Sequence, residues 1–133
     1  MINKIKQWEL ATIGVLNLDG WDLQPSNEFD CYDAIGYTPK GIKCVIEMKF
    51  RNDYYETKML EVDKYNSLMK LEEYVKIYFV NDAKGNYMFW LDNIIMPTPV
   101  WIKAPKTTMW NNQNVSKNVY MLPEGKATII NRY

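Results

Sequence analysis

The run GIKCVIEMKFR at residues 41–51 constrains the fold more than any other stretch. From Cys44 to Phe50 it reads as a buried hydrophobic strand, yet it carries Glu47 and Lys49. Side chains in a strand repeat every two residues, so both charges point to one face. In a sheet covered on both faces, ionised side chains cost several kcal/mol each unless they are paired or bound to a metal. An isolated E-x-K is more often the polar face of a half-exposed strand, so the residues that gather around it decide its meaning.

The segments on either side supply a layered frame. INKIKQWELATIGVLNLDG has apolar residues at helical spacing and predicts a helix over about 3–17, with Gly20 placed to stop it. WDLQPSNEF reads as a connection, and FDCYDAIGY and IKCVIEMKF flank TPKG as a β-hairpin. RNDYYETK reads as a polar loop, and a second helix is expected over about 60–73 through Leu60, Lys64, Leu68 and Leu71. YVKIYFVN and YMFWLDNI, separated by DAKGN, form another strand pair. The remainder is loop-like through Pro97, Pro99 and Pro105, with strands near NVYML and ATIIN around the turn PEGK. This order predicts an α/β or α+β class, with a central mixed β-sheet flanked by helices.

At 133 residues and 47% hydrophobic content the chain suits one domain with a real core, 1–133, comprising a core at about 5–92 and a basic addition at 93–133. The addition holds Lys103, Lys106, Lys117, Lys126 and Arg132 against Glu124 alone, although the whole chain is balanced at sixteen charges of each sign. No stretch approaches a membrane span or a secretory signal, so a cytoplasmic protein is expected. Cys31 and Cys44 are too few for a zinc tetrad and read as thiols. The absence of histidine excludes the usual neutral-pH base and the Cys/His and Ser/His arrangements. Carboxylates, lysine, tyrosine or a hard metal ion on oxygen ligands remain.

The hairpin brings Asp30 and Asp33 back toward Glu47, and carboxylates that close repel unless one protonates or a cation lies between them. A divalent metal is the economical solution. Glu9 adds a third acid on the helical stripe of Ile5, Ile13 and Leu16, and Lys64 lies between Leu60 and Leu68 in the same manner. Taken singly, each has a plain alternative: Glu9 as a boundary glutamate, Lys64 as a snorkelling lysine, the aspartates as solvated acids.

The succession Glu9, Asp33, Glu47-x-Lys49 and Lys64 on helix, hairpin, strand and helix resembles the PD-(D/E)xK nuclease superfamily, with the restriction-endonuclease-like fold, over about residues 5–92. The likeness is to small resolvase-like and phage-encoded members, with CVIEMKFR as the metal-binding strand. No proline precedes either aspartate; Asp33 has the family-like spacing to Glu47, and Asp30 is the reserve ligand.

The resemblance implies a Mg²⁺- or Mn²⁺-dependent endonuclease that hydrolyses DNA phosphodiesters, structure-specific in the manner of a resolvase. Asp33, Glu47 and the Met48 carbonyl would ligate the metal, Glu9 would hold a second ion or a metal-bound water, and Lys49 would orient or deprotonate the attacking water. Arg51, Lys58 and Lys64, with Lys103, Lys106 and Lys117 of the basic segment, would contact nucleic acid. Branched or single-stranded DNA is the implied partner, and paired cuts would call for a homodimer. The alternative is a nuclease-fold module that no longer cuts and serves as a nucleic-acid-binding or protein-interaction subunit.

Overall fold

A computed structural model describes residues 3–105 and 114–133. Its elements run α1 (Lys4–Leu18), β1 (Asp22–Pro25), β2 (Ala34–Tyr37), β3 (Lys43–Phe50), β4 (Thr57–Glu61), α2 (Val62–Met69), β5 (Val75–Asp82), β6 (Gly85–Trp90), β7 (Val100–Pro105), β8 (Asn114–Pro123) and β9 (Thr128–Arg132). Six strands form one sheet in the order β1-β2-β3-β5-β6-β9, and β4-β8-β7 form a second, smaller one. The pair β3–β5 is parallel, joined by a crossover through β4 and α2, while the other pairs of the large sheet are antiparallel. The sheet is therefore mixed, as the order of elements predicts.

Local signals explain most of these boundaries. Asn3 caps α1 by accepting from the Lys6 backbone N–H at 2.8 Å, and Gly20, at φ 97°, turns the chain out of the helix. In the first hairpin Gly41 takes φ 81° and donates to the Thr38 carbonyl at 2.8 Å. In the second, Asp82 Oδ1 accepts from the Lys84 and Gly85 N–H groups and closes the turn between β5 and β6.

Strand β3 divides the interior. Cys44, Ile46 and Met48 pack under α1 with Ile13, Leu16, Ile77 and Phe79. Val45 turns the other way, into a cluster with Leu60, Leu68, Tyr78, Phe89 and Leu122 beneath α2 and the small sheet. Glu47 and Lys49 share that second face by alternation. Both cysteines are free thiols, and burial pushes Cys44 up to about 11. No helix among the described residues is long and apolar enough to cross a membrane.

Four local readings are revised, the first at residues 100–105, which form β7 rather than loop. Residues 57–61 are a strand rather than loop and helix start, because Leu60 pairs with Tyr120 and the Tyr78 hydroxyl donates to the Met59 carbonyl at 2.6 Å. Residues 22–25 are an edge strand against β2 rather than a connection. The strands near NVYML and ATIIN do not pair with each other: β8 lies between β4 and β7, whereas β9 extends the large sheet beside β6.

Candidate active site

Where β2 leaves β3, a side chain takes over the role of a strand. The Asp33 N–H still donates to the Ile46 carbonyl at 2.8 Å. Two residues further along β3, the Met48 N–H donates to Asp33 Oδ2 at 2.7 Å instead of to a backbone acceptor. The N–H and C=O of one strand residue leave by the same edge, so the Met48 carbonyl also faces the Asp33 side. Asp30 does not share this position: its Oδ2 accepts from the Asn27 N–H at 2.8 Å and closes a turn.

Asp33, Glu47, Met48 and Lys49 line one cleft of about 170 Å³ together with Glu9, Arg51, Glu61 and Lys64. Glu9 arrives from the first turns of α1 and is held by Lys6 at 3.6 Å. Lys64 arrives from α2 and lies 3.6 Å from Glu47 Oε1, with nearly half its side chain in solvent. The other Glu47 oxygen, Oε2, is buried with no hydrogen-bond partner among the described residues. A buried acceptor left open costs about 1–3 kcal/mol, more for a charged group, so this atom marks a place where the protein alone is incomplete.

The electrostatics agree with that geometry. Burial, then the Asp33 charge, push Glu47 up to about 8 against the pull of Lys64. Burial, followed by Asp33, raises Glu9. Burial also raises Asp33, although the Met48 N–H and the Lys64 and Lys6 charges oppose it. Burial thus works against the naked charge on all three carboxyl groups around the cleft. Lys49 moves the other way, lowered first by burial and then by the Arg51 charge.

Among the described residues no three Cys, His, Asp or Glu side chains form a ready-made cage for an ion. A hard divalent cation does not require one, since Mg²⁺ keeps several waters and is held through one or two carboxylates. Asp33, the open Glu47 oxygen and the Met48 carbonyl are oxygen donors of that kind, and the residues fit such an ion.

Other expected contacts fall elsewhere. Lys58 is 2% exposed; its ammonium bonds Asp82 Oδ2 at 2.7 Å and lies over the Tyr54 and Tyr87 rings. It joins the small sheet to the large one and is not free to meet a phosphate. Lys117 pairs with Glu61 at 3.5 Å at the rim of the cleft, Lys103 is exposed, and Lys106 lies outside the described residues. Tyr54 covers the strand end, its hydroxyl donating to Glu124 Oε2 at 2.6 Å. Glu61 had no local signal: it enters the site as the last residue of β4, a strand that exists only by pairing with β8.

No protein-family model and no curated protein matches the sequence. Among solved structures, the chain is similar to Archaeoglobus fulgidus Hjc, a Holliday junction resolvase from an archaeal hyperthermophile, with a TM-score of 0.64 over 96% of this chain and 93% of the resolvase, at 13% identity. The fold is restriction-endonuclease-like. At that identity the likeness concerns architecture, and it extends beyond residues 5–92 to nearly the whole chain. Within this restriction-endonuclease-like frame the mixed sheet and its two helices match the class expected from the order of elements.

Proposed function

We propose that this protein is a metal-dependent endonuclease that hydrolyses phosphodiester bonds in DNA, with branched DNA as its preferred substrate. The observation that carries the reading is the buried Glu47 Oε2, without a hydrogen-bond partner among the described residues, in the cleft that Asp33 and Lys49 also line. It sits on a fold shared with a protein described as a Holliday junction resolvase.

A bound Mg²⁺ or Mn²⁺ would supply Lewis-acid polarisation of the scissile phosphate and lower the pKa of the attacking water. Asp33, Glu47 and the Met48 carbonyl would hold it. The chain's own residues do the rest. Lys64 pairs with one Glu47 oxygen and leaves the other unengaged by it. Glu9 faces Asp33 and supports a second ion or a bound water. Lys49, desolvated and beside Arg51, gives up its proton more readily than an ordinary lysine and can accept one from water at Nζ. Arg51, which also lines the cleft, would meet a phosphate oxygen. Each copy offers one such cleft, so paired cuts at a junction require two copies.

Incubating the protein with duplex, single-stranded and four-way-junction DNA in Mn²⁺ and in EDTA tests the reading. Metal-dependent cutting, strongest on the junction, is expected. If Mn²⁺ binds but no substrate is cut, the chain is a binding module on the same fold.

The basic residues separate in a salt titration. Lys103→Ala is expected to flatten the slope of log K against log salt by about one for each phosphate contact it removes. Lys117→Ala should change the slope little, because Glu61 already balances its charge. Equal slopes for wild type and Lys103→Ala would show that Lys103 only faces solvent.

A further inference from the structure

A second recess opens beside the cleft, between α1 and the strands β5, β6 and β9, with a volume of about 490 Å³. One wall is aromatic: Trp8 and Phe50 have ring centroids 5.7 Å apart, and Phe50 and Phe79 are 6.2 Å apart. The other is a ladder of side-chain amides across three adjacent strands. Asn81 Nδ2 donates to Asn86 Oδ1 at 2.8 Å, and Asn86 Nδ2 donates to Asn131 Oδ1 at 2.6 Å. The Tyr133 hydroxyl lies 2.9 Å from Asn81 Nδ2 and steadies the ladder at its open side.

The ladder runs against ordinary strand preference. Asparagine is depleted in strands, yet Asn81 stands opposite Asn86, and Asn86 opposite Asn131. An amide offers two donors and an acceptor with two lone pairs. The bonds named leave the Asn81 carbonyl oxygen at one end and the Asn131 amino group at the other without a side-chain partner among the described residues. These two groups stand two strand spacings apart, roughly 10 Å, so each is free to meet a separate polar group of a bound nucleotide, while the half-buried Trp8 and Phe50 rings offer a face for its base.

The recess is also polarised for a nucleic acid. Among its lining residues none is acidic, and its one cation, Arg51, also lines the carboxylate cleft. Phe50 borders both spaces as well. The side toward solvent is open: Val15 and Tyr133 are largely exposed and Ile130 partly so.

We infer that this recess holds an unpaired DNA base next to the scissile phosphate, stacked on the Trp8–Phe50 wall and hydrogen-bonded by the Asn81–Asn86–Asn131 ladder. The inference rests on the nuclease reading and deepens it: the substrate is DNA with an unpaired nucleotide at the cut site. Stacking of bases on aromatic side chains is the general means of holding single strands, and the amide ladder adds an edge contact to it.

The test separates bases from phosphates and binding from cutting. A fluorescent twelve-nucleotide oligothymidylate and an abasic strand of the same length are titrated against the protein in EDTA, where no cleavage is read. Wild type is expected to bind the oligothymidylate about tenfold more tightly, within the range of one or two stacked bases. The Asn81→Ala/Asn131→Ala double variant and Tyr133→Ala, which changes an exposed side chain, should each lose part of the preference, and the Trp8→Ala/Asn81→Ala/Asn131→Ala variant should bind both strands alike. Equal binding of the two strands by wild type, or a full preference retained in the triple variant, overturns the inference. Metal-dependent cutting of a four-way junction is scored separately. Cutting without a base preference sinks the recess and spares the nuclease, whereas a preference without cutting sinks the nuclease and leaves the base site standing.

Discussion

Lys49→Ala is expected to lower the turnover of DNA cleavage by about 10²–10⁴, the range for loss of a positioned general acid–base group, while Mn²⁺ binding persists. Lys49 lines the cleft from the same strand face as Glu47, whereas Asp33, Glu47 and the Met48 carbonyl, which would hold the ion, are untouched by the substitution. Burial and the Arg51 charge lower its pKa, so alkaline pH should raise the rate through the neutral amine in wild type and not in the variant. Isothermal titration with Mn²⁺ and a single-turnover assay together check this. If affinity for the ion falls as far as the rate, Lys49 supports the ligands rather than the water.

Glu47→Gln is expected to stabilise the metal-free protein at pH 8 and to leave it nearly unchanged at pH 4. In the folded protein the Glu47 carboxyl titrates at about 8, against an ordinary 4.5. The folded state therefore holds this proton more tightly than the unfolded chain. The stability that this supplies is fully present below about 4.5 and is lost as pH rises toward 8. At about 1.4 kcal/mol per pH unit, that window corresponds to on the order of 5 kcal/mol at most, and the lost ion pair with Lys64 reduces the gain. Urea unfolding in EDTA at several pH values gives the comparison. Parallel curves for wild type and variant would mean that Glu47 is already ionised in the fold. With Mn²⁺ added, the order should reverse, because the ion stabilises the wild-type carboxylate.

The parts of the site that could be read from the chain are those set by local periodicity. Glu9 shows itself by interrupting an apolar helical stripe, and Glu47 and Lys49 by sharing one face of an apolar strand. TPKG and DAKGN announce their hairpins because turn chemistry is local. The small sheet could not be read in the same way: Thr57 pairs with Pro123 and Glu61 with Val119, contacts that no window along the chain contains. Two consequences follow from that one gap. Glu61 goes unnoticed at the rim of the cleft, and Lys58 is assigned to nucleic-acid contact when alternation with Leu60 carries it inward. Asp30 and Asp33 differ only in what they bond, a turn amide or the Met48 amide, and three residues of spacing do not distinguish those fates.

The Lys58–Asp82 pair also shapes the energy landscape on which the chain folds. A collapsed form with β4 shifted by one residue would turn Lys58 to the opposite face and leave the Asp82 carboxylate buried without its partner, at a cost of roughly 3–5 kcal/mol for the broken pair. A purely apolar seam would tolerate such a shift with little loss. The ion pair therefore adds less to the depth of the native basin than to the height of its nearest competitors. Those competitors are the ones that matter here, since Glu61 and Lys64 follow Lys58 within two turns of chain, and any slip of β4 would carry both out of the cleft.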